Sequence, residues 1–287
     1  MTRTSPAVID THCHLDLEAF DADRAAAIER ATSAGVLGVL IPAIRPATWP
    51  VVVDLCRAIG PWARAALGVH PQIVPQLDAD ERALLRDPDA ALATALTAAA
   101  DVVVAVGECG LDGATADAAE QDRLLRAHLR VARALDLPVV LHVLGAHGRA
   151  LELLRAEAAS GPFRGVLHSY SGSPELVARY AELDLYLSFA GAITYPGARR
   201  PGAAARLVAA DRLLAETDGP DQTPAPRRPG RNEPAFLPHV LAGLAQACGG
   251  GAAELAARTT RNARRLFGAW PEQLAVVPPW PGGEVHS

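Results

Sequence analysis

The chain has 287 residues, half of them apolar, with a formal net charge of -5 and a mean hydropathy of +0.13. That is ample material for a buried core and excludes a disordered chain; the acidic total does not advertise a nucleic-acid binder, although a local arginine patch and a metal could still hold a phosphate chain. All 27 basic residues are arginine, which excludes a Schiff-base lysine, a P-loop lysine and a carbamylated-lysine metal bridge.

Cys13, Cys56, Cys109 and Cys248 are too scattered for a disulfide framework, and none forms a CxxC pair. No leader segment and no apolar run of about 18 residues is visible. A cytoplasmic protein without membrane contact is therefore expected.

Eight apolar runs read as strands: Ala7–Asp10, Gly35–Ile41, Ala63–Val69, Val102–Val106, Pro138–Val143, Gly165–His168, Leu185–Phe189 and Leu213–Glu216. They are continuous rather than alternating, as parallel strands buried on both faces are. Between them lie helical stretches at Asp21–Ala34, Ala47–Ile59, Asp78–Ala100, Asp117–Leu135, His147–Ala158, Pro174–Leu183 and Pro201–Ala210, and two more follow at Pro234–Ala247 and Ala252–Phe267. Asp117 with Glu120 reads as a capping box, and Ser173-Pro174 as a cap followed by proline at the first helical position. Strand and helix alternating eight times predict α/β architecture, a single (β/α)8 TIM barrel over residues 1–268; an open doubly wound sheet is the alternative, but no GxGxxG follows the first strand. Thr223–Pro234 reads as a long loop, and residues 269–287 as a Pro/Gly-rich tail.

In such a barrel the chemistry sits where the strands end. There the chain places His12 and His14 after strand one, Glu108 after strand four, His142 and His168 at the ends of strands five and six, and Glu216-Thr217-Asp218 after strand eight. Side chains two apart in extended chain share a side, so His12 and His14 can reach one ion. Each residue alone has a plainer reading: a core histidine, a carboxylate salt-bridged to arginine, an aspartate in a turn. Together they supply His, His, Glu and Asp for one metal and Glu, His and His for a second, with Glu108 shared. Such a pair lowers the pKa of water from 15.7 towards about 7 and clamps the charge of a hydrolytic transition state. The mixed donors suit Zn, Mn, Fe or Ni better than an all-oxygen Mg site. His70 ends strand three and could touch substrate, and His147 could reach the rim; His128, His239 and His286 have no rim position, and Cys13 and Cys109 read as packing residues.

The motifs together resemble the TatD family of metal-dependent hydrolases. They are Asp10-Thr11-His12-Cys13-His14-Leu15-Asp16, Gly68-Val69-His70-Pro71, Val106-Gly107-Glu108-Cys109-Gly110-Leu111-Asp112, Pro138-Val139-Val140-Leu141-His142, His168-Ser169-Tyr170-Ser171-Gly172-Ser173, Glu216-Thr217-Asp218, Arg231-Asn232-Glu233-Pro234 and Asn262-Ala263-Arg264-Arg265-Leu266-Phe267-Gly268. Order and spacing agree over residues 7 to 268, and Gly191–Pro196 looks most like the YjjV-like branch. The resemblance implies a TIM barrel, two divalent ions (Mg, Mn or Zn) and phosphodiester hydrolysis, typically as a 3′ to 5′ exonuclease on single-stranded DNA. It implies His12, His14 and Asp218 on one metal, His142 and His168 on the other, Glu108 on both, and Asp218 as acid/base. It also implies Ser169 and Ser171 beside substrate phosphate, and no obligate protein partner is expected.

The chain departs from the family pattern at Leu144, where an arginine is usual, at Gly113, where an aromatic residue is frequent, and at Gly219, where alanine is usual. A lost arginine–phosphate contact costs about 1.5–3 kcal/mol. Arg149, Arg199, Arg200, Arg227, Arg228 or Arg231 could compensate, and Arg231 is best placed by belonging to a matching motif. The altered substrate shell leaves a second reading, hydrolysis of a small phosphoester, amide, ester or lactone, and a third, a barrel retained only for binding.

Overall fold

The computed structural model describes residues 7–268 and Trp270. Eight parallel strands lie in sequence order, β1 (Val8–Asp10), β2 (Val36–Ala43), β3 (Ala63–Leu67), β4 (Val103–Asp112), β5 (Val139–Leu144), β6 (Gly165–Leu167), β7 (Leu185–Phe189) and β8 (Leu213–Ala215), with helices alternating outside them. The sheet closes at its upper end: Thr11 N–H donates to Ala215 O at 3.4 Å, Asp218 N–H to His12 O at 2.9 Å and His14 N–H to Gly219 O at 2.8 Å. The expected TIM barrel is the observed one.

Most of the apolar core packs between barrel and helices. A smaller cluster takes at least one side chain from every strand, among them Ile9, Leu40, Ala66, Ala105, Val140, Val166, Tyr186 and Leu214, and Phe267 and Trp270 join it. Trp270 was expected in a loose tail, yet it is buried against Gly38, where a Cβ would meet its ring at 2.3 Å. The rest of the expected tail lies outside the described residues. Among the described residues, no single helix is long and apolar enough to cross a membrane.

The element boundaries differ from expectation at instructive places. The predicted helix Asp78–Ala100 is two helices, Ala79–Leu84 and Pro88–Ala98, because Asp87-Pro88 starts a new one, with the Asp87 carboxylate accepting from Ala90 N–H at 3.1 Å. The capping box is at Asp78 and Glu81, not at Asp117 and Glu120. Asp117 adopts a left-handed φ of 62° and its side chain caps nothing, while Glu120 pairs with Arg123. Ser173 precedes a short 3-10 turn without capping it. Strand β4 runs on through Asp112, so Glu108 lies within the strand rather than after it. The β4–β5 register slips between Val106 and Cys109, a bulge that re-aims the side chains there. Gly107 accommodates it at φ +133°, with no room for a Cβ against Val140 O at 2.5 Å.

His128, without a rim position in the sequence, has a structural task. It is fully buried, accepts from Val69 N–H through Nε2 at 3.0 Å and donates from Nδ1 to Leu124 O at 2.7 Å. It thereby ties the end of β3 to the helix Ala118–Leu135. Replacing it by leucine orphans the Val69 N–H and should cost about 1–3 kcal/mol at neutral pH, measured by urea unfolding. Burial lowers its pKa from 6.5 to about 4. Between these values the unfolded chain binds the extra proton, so stability falls as pH drops from about 6.5 to about 4, by roughly 3 kcal/mol. The His128→Leu curve should lack that slope, so the slope should appear in the wild-type-minus-variant difference.

Candidate metal centre

The carboxyl ends of the strands converge on Glu108, which is 1% exposed. Its Oε1 lies 2.8 Å from His168 Nε2, 3.0 Å from His70 Nε2 and 3.3 Å from His142 Nδ1; its Oε2 lies 3.2 Å from His12 Nε2 and 3.6 Å from His14 Nε2. Asp218 Oδ1 faces His12 at 3.7 Å and His14 at 4.0 Å. The six predicted metal residues are therefore brought together, and His70, read as a substrate contact, stands among them. Cys13 and Cys109 pack instead, their thiols directed at the carbonyls of Gly219 and Val140.

Several of the ligand candidates are oriented from behind. His14 Nδ1–H donates to Pro42 O at 3.3 Å, which turns Nε2 towards Glu108. His168 Nδ1 faces Glu216 at 3.5 Å, and Glu216 also accepts from Ser169 N–H at 2.6 Å. His142 Nε2 faces Asp112 at 3.6 Å, and Asp112 accepts from Gln72 Nε2 at 2.7 Å. His70 Nδ1 accepts from Gln72 N–H at 3.1 Å. The Asp10 carboxylate takes His12 N–H at 3.3 Å and Thr217 N–H at 2.9 Å, clipping the two ligand segments together. Asp218 sits at φ +59° and accepts from Gln222 through Oδ2, leaving Oδ1 for the cluster.

The electrostatics are those of a cation site. Burial alone would protonate Glu108, but the facing His70, His168 and His12 hold its carboxyl well below the usual range. Burial likewise opposes ionisation of Asp218, and His168, His12 and His14 override it. Burial pushes His12 down, whereas Glu108 holds His168 well above the ordinary imidazole range despite burial. Among the described residues, both Glu108 oxygens are buried and accept no hydrogen bond. Donor atoms from three residues fall within 4.8 Å of one another in three sets: His12, Glu108 and His168; His12, His14 and Asp218; His70, Glu108 and His142. Imidazole nitrogens crowded around a buried carboxylate whose oxygens accept no hydrogen bond among the described residues fit a metal.

Two cavities meet at this cluster and share His142, His168, Asp218 and Gln222. One, of about 310 Å³, is lined on its far side by Leu17, Ile44, Gln72 and Ile73. The other, of about 400 Å³, contains Ser169, Ser171, Leu144 and Arg200. Ser169 Oγ accepts from Gln222 Nε2 at 2.5 Å, and Ser171 Oγ donates to Val143 O at 3.2 Å. Arg231 lines neither cavity: its guanidinium binds Asp23 and Glu233 and lies 4.3 Å over the Phe20 ring. Arg149 is taken up by Asp122, and Arg228 lies over Tyr195. The arginine that reaches the cavity is Arg200. Asp112, Gln72, Gln222 and the orienting role of Glu216 were not read from the sequence; the two-residue period Glu108, Gly110, Asp112 was the available signal for Asp112.

A parallel eight-stranded barrel whose strand ends gather imidazoles and carboxylates around one buried glutamate is the construction of a metal-dependent hydrolase. The comparisons narrow the class. The sequence model of the TatD-related DNases matches residues 9–268, and the chain belongs to that family. It is 36% identical over 271 residues to the "3'-5' ssDNA/RNA exonuclease TatD" of Erwinia tasmaniensis, covering 91% of this chain and 99% of that one. It is 33% identical over 267 residues to the "Uncharacterized metal-dependent hydrolase YjjV" of Escherichia coli, covering 90% and 97%. The crystal structure of the TatD homologue YjjV from E. coli superposes with a TM-score of 0.82 at 31% identity, over 91% of this chain and 98% of that one.

A ligand held only by the folded state adds RT ln(1 + [L]/Kd), about 2.7 kcal/mol at a hundredfold excess over Kd. Adding Mn or Zn to chelator-treated protein should raise its Tm accordingly. Glu108→Gln should lose most of that increment while the metal-free Tm stays measurable; an undiminished increment would remove Glu108 from the site.

Proposed function

We propose that the chain is a divalent-metal-dependent phosphodiesterase that trims single-stranded DNA from its 3′ end. The observation that carries this reading is the buried Glu108 carboxylate, with donors for one ion on either side of it. His12, His14 and Asp218 would hold one ion, His142 and His168 the other, and Glu108 both; His70 completes the wall beside Glu108. The names of the relatives support a nucleic-acid substrate. The four free cysteines accord with a cytoplasmic setting.

The bound cations supply Lewis acidity, easing deprotonation of water and offsetting charge on the phosphoryl oxygens. The protein's own contribution is proton handling and placement. Asp218, ionised and pinned by Gln222, takes the proton of the attacking water. As the P–O3′ bond breaks, Asp218 returns that proton to the departing 3′ oxygen of the shortened strand, and a nucleoside 5′-phosphate is released. Ser169 and Ser171, which line the cavity beside the cluster, would contact the non-bridging phosphate oxygens. The apolar wall around Leu144 favours a second reading, hydrolysis of a small phosphoester or ester that fits one cavity.

The deciding assay offers 5′-end-labelled single-stranded DNA to metal-loaded protein. The expected result is stepwise shortening from the 3′ end, abolished by chelator. Asp218→Asn should lower kcat by about 10²- to 10⁴-fold, the range for losing a general acid/base. An unshortened strand, with a small phosphoester or ester turned over instead, would establish the second reading.

A further inference from the structure

The 400 Å³ cavity has a composition that the hydrolytic machinery does not explain. Besides the polar residues it shares with the cluster and the segment 169–171, its lining includes Leu144, Phe189, Ala192, Ile193 and Pro201, together with Arg200. Leu144 is 44% exposed, one of four large apolar side chains so exposed among the described residues. Unpaired apolar surface beside a metal cluster is surface kept for a ligand. Arg200, exposed at the start of the helix Arg199–Leu207, makes no ion pair among the described residues, whereas Arg123, Arg130, Arg149 and Arg212 are all engaged by carboxylates. The nearby His147 is pushed down to about 4 by burial and then by the charge of Arg200, so at neutral pH it adds no charge of its own.

We propose that this cavity binds the nucleoside immediately 5′ of the scissile phosphate, its base against Leu144, Phe189 and Ile193, and that Arg200 binds that nucleoside's own 5′-phosphate. The inference rests on the phosphodiesterase reading. The cavity opens directly on His142, His168 and Asp218, so a phosphoryl group at the cluster leaves one of its two nucleosides there. Its volume lies near the low end of the roughly 300–1,000 Å³ of small-ligand sites, room for one nucleotide unit rather than several. The presence of a cation selects which nucleoside: the 3′-terminal one carries no further phosphate, whereas the preceding one does. Arg200 thus supplies, from the β7 side of the groove, the phosphate contact that Leu144 cannot supply from the end of β5. Chain polarity follows, the strand leaving past Arg200 and the terminal nucleotide lying in the cavity beside His70 and Gln72.

The test compares two substrates of the metal-loaded enzyme that differ by one group: a deoxydinucleoside monophosphate and the same dinucleotide with a 5′-phosphate. The wild type should prefer the 5′-phosphorylated one in kcat/KM by about tenfold to a hundredfold, the yield of one charged hydrogen bond. Arg200→Gln should reduce that preference to within about twofold, and Arg200→Lys should restore part of it. Leu144→Ala, which removes apolar wall but no charge, should raise KM for both substrates and keep the preference. A preference that survives Arg200→Gln, or none in the wild type, would overturn the subsite while leaving the nuclease reading in place. Cleavage of neither dinucleotide by protein shown to hold metal would overturn both.

Discussion

A single carboxylate, buried to 1% exposure and ringed by five imidazoles, is the constraint that organises the upper half of this barrel. Among the described residues Glu108 pairs with no arginine, and the chain has no lysine to offer. An isolated buried carboxylate would cost several kcal/mol and would protonate instead. Here the facing imidazoles of His70, His168 and His12 keep it ionised. Asp10, Asp112 and Glu216 are the outer carboxylates of this arrangement, facing Thr217 N–H, His142 and His168 respectively.

The fold places these groups by backbone means. The hydrogen bonds from Asp218 to His12 and from His14 to Gly219 close the barrel and, in the same act, bring the first and last ligand segments into register. The bulge in β4 directs Glu108 inward between them. Below, the apolar cluster from Ile9 to Leu214, with Trp270, fills the barrel, so the rim can hold charge and strained backbone at Asp218 and Ser169 without a soft core beneath it. In the proposed function, substrate selection would fall to the helix carrying Arg200 and the loop carrying Gln222, which line the cavity beside that rim.

Much of this was legible in the chain because it is encoded locally. The alternation of apolar runs and helices gave the barrel, and the barrel rule turned scattered His, Glu and Asp positions into one cluster. The His12-Cys13-His14 spacing and the absence of lysine pointed to the same centre. What escaped depends on geometry without a local code. Asp117 resembled a cap, but the chain enters that helix through a left-handed residue and the carboxylate points elsewhere. Strand β4 looked short because a bulge interrupts its pattern. Arg231 sits in a matching motif, yet its neighbours Asp23 and Glu233 claim its charge; Arg200, without a motif, reaches the cavity because a helix begins there. Gln222 lies in a loop whose composition promised only a turn.

The central claim is that metal ions flank Glu108, and anomalous diffraction from crystals loaded with Mn tests it most directly. The account predicts two peaks on opposite sides of the Glu108 carboxylate, one against His12, His14 and Asp218 and one against His142 and His168. A folded protein whose Mn binds away from Glu108, or that shows no peak at this cluster at saturating Mn, would contradict it.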